Sequence, residues 1–520
     1  MQLVAYGAQD VYLTGNPQIT FFKVVYRRHT NFSVEPIQQV FNGAADFGRT
    51  VTCNLNRNGD LITNMYAVVQ LSEVVAGNVE WGYVRRLGYA LIESTKIEIG
   101  GSKIDEQYGD WLNIWYELSH KVGQERGHAA MIGDDDAHRV LHKDARSPTT
   151  LYVPLAYWFN RHNGLALPLI ALQYHDVRVT IKYRNALECV NYQGATKPTM
   201  PTMADSYLLI DYVFLDSEER KRFAQASHEY LIEQLQFTGS ESLTNNSNNK
   251  YRLNFNHPSK YLVWASHLEV YDSPTQWLTY ADNGDWETAR ETFAKLLWLS
   301  TRTLNSAGTL VTLVTTDGEV QIPDVVSGLE SPLTNLLAKI DAQLVFADAS
   351  SGTVSAIPGN VVLLKNEITA KDMTNTITQL DTWGAHANFL ALHGVYVTDH
   401  FNYGRWVDCT VNPITSGKLQ LNGHDRFQTR DGNYFNYVQP YQHFSNTPAD
   451  GINVYSFALK PEDHQPSGTC NFSRIDNATL NISLNNDTVT GSNDDNLNIY
   501  TVNYNVLRVM SGMAGTAYSN

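Results

Sequence analysis

Apolar and polar residues alternate along several short segments of the chain, which is the pattern of a β-strand with one buried and one solvated face. In segment 95–105, TKIEIGGSKID, isoleucines occupy alternate positions before a Gly-Gly pair, so we predict a hairpin. Segment 177–182, VRVTIK, alternates in the same way. The hydrophobic pattern therefore predicts a fold built mainly from strands.

The pattern of the first half of the chain recurs in the second half. Segment 418–423, KLQLNG, repeats the strand and turn of 96–101, KIEIGG. Segment 503–507, NYNVL, resembles 211–215, DYVFL. Two matches in the same order predict an internal duplication of one β domain.

A short helix is predicted between the halves, in segment 217–226, SEERKRFAQA. Ser217 can cap this helix, and the two glutamates that follow suit the positive end of its dipole. A strand around 230–237 is expected to open the second half.

The second half contains a predicted insertion, because about 150 residues separate a strand at 260–264 from the hairpin at 418. Its composition indicates a folded segment, not a long loop. The predicted elements are helices at 286–299 and 333–344 and strands at 309–314 and 320–322.

Composition and charge limit the possible functions. The chain has 520 residues, more than one hydrophobic core usually supports, and 43% of them are hydrophobic. Its formal charge of -15 should repel phosphate backbones, so we expect no direct nucleic-acid binding. The local basic run is interpreted as a solvated strand face or a contact patch; it consists of Lys23, Arg27, Arg28 and His29.

Neither a secretory signal nor a transmembrane segment is readable, so we expect the protein to stay on the cytosolic side. No C-x-x-C pair occurs among Cys53, Cys189, Cys409 and Cys470. This spacing predicts reduced and mostly buried thiols instead of disulfides or a zinc site. Sequons of the N-x-[ST] type occur, but we assign no glycosylation site from them.

Segment 460–476, KPEDHQPSGTCNFSRID, is the first candidate for chemistry because it holds Glu462, Asp463, His464 and Cys470. Consecutive side chains of an extended chain point to opposite faces, so the first three do not easily converge on one ion. A structural zinc needs four ligands, and a Cys-His nucleophile pair needs an orienting third group that the sequence does not identify. We predict neither kind of site here.

The second candidate is segment 128–142, where His138 and His142 would share one helix face near three aspartates. The segment lacks the glutamate of H-E-x-x-H, and we interpret it as an acidic loop followed by a surface helical turn. Asp105 and Glu106 are adjacent on a strand and therefore face apart, unlike a glycosidase pair. The sequence thus predicts no catalytic, cofactor-binding or metal-binding residue.

Several longer segments occur together and in one order along the chain. They are GAQDVYLTGNPQITFFKVVYRRHTNF from Gly7, LPLIALQYHDVRV from Leu167, EERKRFAQ with HEYLIEQLQ, LQLNGHDRF from Leu419, DGNYFN from Asp431, segment 460–476 and the ending VNYNVLRVMSGMAGTAYSN. In these segments the chain closely resembles the major capsid proteins of nucleocytoplasmic large DNA viruses, particularly those of algal and amoebal viruses.

The resemblance implies an all-β double jelly roll, with two tandem eight-stranded β-sandwich barrels and short helices, and a structural role without enzymatic activity or cofactors. It implies a homotrimer that forms a pseudo-hexagonal capsomer, and capsomers that tile the icosahedral shell of a virion assembled in the host cytoplasm. Implied partners are neighbouring capsomers, minor capsid and penton proteins, and the internal viral membrane near the base and the N-terminal segment. Host surfaces or glycans are further possible partners of the outer loops.

These implications divide the chain into four parts. They are an N-terminal segment (1–25), a first jelly roll (26–216), a linking helix (217–228) and a second jelly roll (229–520) with an insertion at about 268–417. The insertion is longer than in compact family members, and we hypothesise that it forms an outward tower. Cys470 and Phe472 are expected to pack inward after a turn shaped by Gly468 and the nearby prolines.

Two other functions compete with the structural role. Jelly rolls with exposed aromatic residues also suit sugar recognition, so a host-glycan-binding protein is the main alternative. A jelly-roll glycosidase ranks last, because it needs two carboxylates placed in one cleft.

Overall fold

The structure is a computed structural model that describes residues 7–79, 81–135, 138, 143–192, 196–243, 249–268, 278, 280, 412–484 and 495–518. It also gives the backbone of short strands between residues 302 and 356. The helices predicted at 286–299 and 333–344, as well as Cys409 and His142, lie outside the described residues.

The first half of the chain folds into two main sheets. Its strands are β1 (Phe32–Val40), β2 (Thr50–Asn54), β3 (Leu61–Leu71), β4 (Trp81–Tyr83), β5 (Ile92–Ile99), β6 (Ser102–Tyr108), β7 (Thr149–Pro154), β8 (Leu167–Pro168), β9 (Val177–Tyr183), β10 (Val190–Tyr192) and β11 (Met203–Leu215). One sheet has the order β1-β11-β3-β7 and the other β2-β9-β5-β6. The short β8 pairs with β3, and β4 pairs with β10.

The second half repeats this arrangement. Its strands are β12 (His228–Ser242), β13 (Asn249–Arg252), β14 (Pro258–His267), β15 (Arg302–Leu304), β16 (Leu310–Thr315), β17 (Gly318–Val320), β18 (Val345–Phe346), β19 (Val354–Ala356), β20 (Ile414–Leu421), β21 (His424–Asp425), β22 (Arg430–Asp431), β23 (Ile452–Ser456), β24 (Cys470–Asn471), β25 (Ala478–Leu484), β26 (Asn496–Met510) and β27 (Met513–Thr516). The main sheets have the orders β12-β26-β14-β23 and β13-β25-β20-β21. The predicted strand at 309–314 corresponds to β16, whereas the one at 320–322 overlaps β17 only at Val320.

The strand order identifies the topology of both halves. Each half has eight strands in the two main sheets given above. When these eight are numbered from 1 to 8 in chain order, one sheet has the order 1-8-3-6 and the other 2-7-4-5, in both halves. This is the order of a jelly roll, in which two Greek keys close over one core. The fold expected from the resemblance is confirmed, and the two units are called the first roll and the second roll below.

The two matches found in the sequence fall on equivalent strands. The first match joins the fourth and fifth strands of each roll, with Gly100 and Gly101 or Asn422 and Gly423 in the turn. All four residues have positive φ, between 51° and 82°, as a two-residue type I′ hairpin requires. The second match lies on β11 and β26, the eighth strand of each roll.

Short helices connect the strands. They are α1 (Asp10–Thr14), α2 (Leu87–Leu91), α3 (Gly109–Ser119), α4 (Glu125–Ile132), α5 (Trp158–Arg161), α6 (Ser217–Gln225) and α7 (Gln439–His443), with 3-10 turns at Asn163–Leu165, Leu169–Ala171, Ala186–Cys189 and Phe472–Arg474 and a π turn at Tyr434–Val438. Helix α6 is the predicted helix between the halves, but the prediction that Ser217 caps it is wrong. Asp216 holds the cap position, and its Oδ1 accepts from the backbone N–H of Glu218 at 2.7 Å.

The cores also agree with the sequence pattern. Ile97 and Ile99 are fully buried between the sheets of the first roll, and Leu419 is buried in the second. Burial raises the pKa of the Cys53 thiol to about 11 and that of Cys189 to about 12, so both stay protonated. No helix among the described residues is long and apolar enough to cross a membrane.

Candidate functional site

The contact between the two rolls, called the seam below, has an apolar part and a polar part. Its apolar part is made by helix α3, which follows the last residue of β6 and lies on the outer face of the β12-β26-β14-β23 sheet. Trp111 of α3 is fully buried, with its ring centroid 6.3 Å from that of Tyr261 and 5.6 Å from that of Tyr500. The first roll thus inserts an aromatic side chain into the surface of the second roll.

Helix α3 was not among the predicted elements, although its sequence carries a signal for it. Trp111, Ile114 and Leu118 follow one another at helical spacings of three and four residues, and all three are buried in the same cluster as Val263, Val454 and Val502. The segment 109–119, GDWLNIWYELS, therefore carried the period of an amphipathic helix.

The end of α3 is hydrogen-bonded to the second roll. The backbone N–H of Asn446 donates to the carbonyl of Leu118 at 3.2 Å, and the Asn446 side chain donates to the carbonyl of His120. The backbone N–H of Ala449 donates to Oε2 of Glu117 at 3.2 Å. These bonds fix the helix lengthwise, which apolar contacts alone do not do.

Glu117 belongs to a buried charge cluster inside the first roll. The Arg86 guanidinium forms an ion pair with Glu117, and its Nε lies 3.6 Å from Oδ2 of Asp134. Burial acts to lower the pKa of Arg86, but the two carboxylates outweigh this effect and raise it, so the guanidinium stays charged. Asp134 of the predicted acidic loop is buried against Arg86. The prediction of a surface helical turn after this loop is wrong at His138, which is buried as well.

The polar part of the seam brings together two edge strands. β6 ends one sheet of the first roll and β12 ends one sheet of the second. The backbone N–H of Leu235 donates to Oδ1 of Asp105 at 3.0 Å, and the Gln234 side chain donates to the carbonyl of Ile104. Side chains thus form hydrogen bonds with backbone N–H and C=O groups that would be unpaired on an exposed edge strand.

Asp105 reaches this position because of a bulge in β6. Ile97 pairs with Asp105 while Glu98 pairs with Lys103, so Ile104 is an extra residue and both Ile104 and Asp105 are buried. Burial raises the pKa of Asp105 to about 7, although hydrogen bonds from Leu235 and Gln107 act to lower it. Glu106 faces away and binds Lys103 at 2.9 Å, so the two carboxylates face apart as predicted.

A second buried charge cluster joins the two rolls through Glu233 of β12. Its Oε1 accepts from Nζ of Lys260 at 2.9 Å, and its Oε2 accepts from Nη1 of Arg161, which belongs to the first roll, at 3.0 Å. Nδ1 of His464 lies 3.7 Å from Oε1. Burial acts to raise the pKa of Glu233, but His464 and the charges of Arg161 and Lys260 outweigh it and lower the value to about 2.

The other candidate residues of segment 460–476 do not converge with His464. Glu462 accepts from the backbone N–H of Ser445 at 2.9 Å, and the backbone carbonyl of Asp463 accepts from Nζ of Lys260 at 3.1 Å. Cys470 lies in β24 and is half-buried, whereas Phe472 is buried in the core of the second roll. His138, from the second candidate segment, is buried and pairs with Asp135. No group of three or more side chains that could hold a metal ion occurs in the described part of the chain.

The C-terminal hairpin completes the seam. Strands β26 and β27 extend from the second roll, and the backbone carbonyl of Gly512 accepts from the N–H of Tyr174 in the first roll at 2.9 Å. The N–H of Ala514 donates to Nδ1 of His175 at 3.1 Å.

The basic run lies apart from the seam. Lys23, Arg27, Arg28 and His29 are all exposed and lie outside any strand, so the interpretation as a strand face is wrong.

The chain therefore has two tandem jelly rolls joined by the seam, which is the architecture of double jelly-roll proteins. A family model described as large eukaryotic DNA virus major capsid protein matches residues 219–515, and one described as major capsid protein N-terminus matches residues 20–216. The chain belongs to the major capsid protein family of large eukaryotic DNA viruses, and it is a structural protein of the viral capsid.

Relatives and solved structures agree with this assignment. The chain is 44% identical to the major capsid protein of Phaeocystis pouchetii virus and 43% identical to capsid protein 1 of Acanthamoeba polyphaga mimivirus, over 100% of this chain and 99% of each relative. It is similar to the crystal structure of VP54 from PBCV-1, fitted into a reconstruction of the virophage Sputnik, with 34% identity, a TM-score of 0.63, and coverage of 96% of this chain and 100% of that one. The Faustovirus major capsid protein has the same fold, with a TM-score of 0.61 at 12% identity over 97% of this chain and 94% of that one.

Proposed function

We propose that three copies of this chain assemble into a pseudo-hexagonal capsomer, and that capsomers tile the icosahedral shell of a large DNA virus in the host cytoplasm. Neighbouring capsomers, minor capsid and penton proteins are the proposed partners, and the base with its N-terminal segment would face the internal membrane. The proposal includes the division into residues 1–25, 26–216, 217–228 and 229–520, with the 268–417 insertion as an outward tower.

One observation carries the trimer. Each chain contains two rolls with the same strand order, joined by the buried seam. Three such chains around a threefold axis present six similar rolls, which gives a nearly sixfold outline without sixfold sequence symmetry. Units with that outline can pack side by side over the faces of a shell, and the penton proteins would occupy its fivefold vertices.

We also infer that the chain is not an enzyme. A shell protein needs only binding between subunits, and the two buried carboxylates with strongly shifted pKa values, Asp105 and Glu233, already accept hydrogen bonds within the seam. Shifted pKa values can mark active sites, but ion pairs in a structural interface cause them as well.

The mass of the purified protein in solution tests the trimer. We expect light scattering to give three times the chain mass of 58.4 kDa, and negative-stain images to show particles with a hexagonal outline. A protein that remains monomeric at high concentration, or that forms dimers, would contradict the proposal.

A further inference from the structure

A polar cleft of about 290 Å³ lies beside the edge contact of β6 and β12. β6 supplies Tyr108, β12 supplies Phe237 and Thr238, and the loop after β13 supplies Asn254, Asn256 and His257. The cleft is thus built by both rolls, and Glu233 and its partners are not among the residues that line it.

The frame of the cleft is fixed by hydrogen bonds. The Gln236 side chain donates to Oδ1 of Asn503 at 2.9 Å and accepts from the backbone N–H of Asn256 at 2.9 Å. The next residue, His257, has a φ of 64°, in the left-handed region, and its backbone N–H donates to Oγ of Ser473 at 2.8 Å. A non-glycine residue persists in that region when its surroundings hold it there.

Several side chains on this frame have unused hydrogen-bonding capacity. Within the described residues, the side chains of Thr238, Asn254, Asn256 and His257 take part in no hydrogen bond or ion pair, and both asparagines are exposed. Each amide offers two donors and an acceptor, and the hydroxyl can do both. Because hydrogen bonds already fix the backbone of this wall, its free polar groups can bind a ligand without the entropic cost of ordering the loop.

The chemistry of the wall identifies the ligand class. A ligand with vicinal hydroxyls can both donate hydrogen bonds to the amides of the wall and accept them. The half-buried rings of Tyr108 and Phe237, with centroids 5.0 Å apart, offer an apolar face for the carbon atoms of such a ligand. Among the charged side chains that line the cleft, Lys103 and Glu106 are paired at 2.9 Å, and the Asp105 carboxyl accepts hydrogen bonds from Leu235 and Gln107, so an ionic ligand gains little. We propose that the cleft binds a neutral saccharide of one or two rings, an activity beyond the capsid role.

Saturation-transfer NMR on the full-length purified protein tests this proposal. The probes are glucose, galactose, mannose, N-acetylglucosamine, lactose and chitobiose, each titrated to about tenfold above a Kd on the order of 1 mM. We expect at least one of these sugars to bind. The variants Asn254→Ala and Asn256→Ala should each weaken its binding about two- to tenfold, because each removes one hydrogen-bonding amide.

Asn58→Ala is the matched control, because Asn58 is an exposed amide outside the cleft. Circular dichroism and solution mass establish that all variants fold and assemble as the parent does. Binding that is unchanged in the Asn254 and Asn256 variants would place the sugar elsewhere and overturn the proposal. The absence of binding for all six sugars would overturn it as well.

Discussion

The apolar and polar parts of the seam hold the two rolls together in different ways. At α3, Trp111 packs against Tyr261 and Tyr500, so the attraction is non-directional and grows with buried area. At the β6–β12 contact, Asp105 accepts from the backbone of Leu235 and Glu233 accepts from Arg161, each in the opposite roll. These directional bonds determine how the two edge strands are aligned. Burial therefore supplies most of the strength of the seam, whereas the carboxylates supply alignment and a dependence on pH.

Removing the aromatic contact should destabilise the chain more than any other change considered below. Trp111→Ala should lower the free energy of unfolding by about 3–5 kcal/mol, because it opens a cavity between the rolls. Urea unfolding followed by circular dichroism measures the change. Tyr441→Ala, at an exposed aromatic residue of α7, is the control and should leave the midpoint unchanged. Equal effects of the two substitutions would contradict the role of α3.

The next effect comes from the charge cluster that joins the rolls. Glu233→Gln leaves the buried Lys260 and the nearby Arg161 without a counter-charge, and should cost about 3 kcal/mol. Adding Lys260→Met to this variant should restore part of the loss, because it removes the unpaired buried cation. A double variant less stable than Glu233→Gln alone would contradict this account.

Asp105 should give a smaller effect whose size depends on pH. Its folded-state pKa of about 7 lies above the ordinary value of 3.8, so the folded chain binds this proton more tightly than the unfolded chain. The parent therefore loses stability from this group as the pH rises from about 4 to about 7. Asp105→Asn, which stays neutral, should gain on the order of 2 kcal/mol relative to the parent between pH 4.5 and pH 6.

Glu233 contributes with the opposite sign, which makes the pH profile a sharp test. Its folded-state pKa of about 2 lies below the ordinary 4.5, so its stabilising contribution is present above pH 4.5 and is lost as the pH falls toward 2. Denaturant unfolding of the parent, Asp105→Asn and Glu233→Gln from about pH 2 to about pH 8 separates the contributions of the two carboxyl groups. A constant difference between Asp105→Asn and the parent at all pH values would contradict the buried carboxyl at β6.

The smallest effect is expected at an exposed ion pair on the same strand as Glu233. Glu229 and Arg508 lie 2.8 Å apart across β12 and β26, and both are more than half exposed. Arg508→Ala should change stability by less than about 1 kcal/mol, because solvent and salt screen the pair. The urea midpoint checks this, and a loss comparable to that of Glu233→Gln would remove the distinction between buried and exposed charges.

Local patterns predicted the parts of the fold that depend on neighbouring residues. Strand alternation and the turns at Gly100 and Asn422 are local, so the hairpins and the match between β11 and β26 were found. The seam depends on residues far apart in the chain, such as Trp111 and Tyr500. No sequence spacing brings those two residues together.

Asp105 shows why the candidate site could be predicted only in part. Alternation correctly placed Asp105 and Glu106 on opposite faces, but the bulge at Ile104 decides that Asp105 is buried against β12. The position of His464 beside Glu233 depends on a contact between segments remote in sequence. Such contacts follow from packing and leave no periodic signal.

A reconstruction of the purified oligomer by electron cryomicroscopy would show both the number of chains and the seam inside each one. We predict three chains with six rolls around a threefold axis, and in each chain Trp111 packed against Tyr261 and Tyr500 of that same chain. A particle with another number of chains, or one in which α3 docks on a neighbouring copy while the two rolls of a chain lie apart, would contradict this prediction.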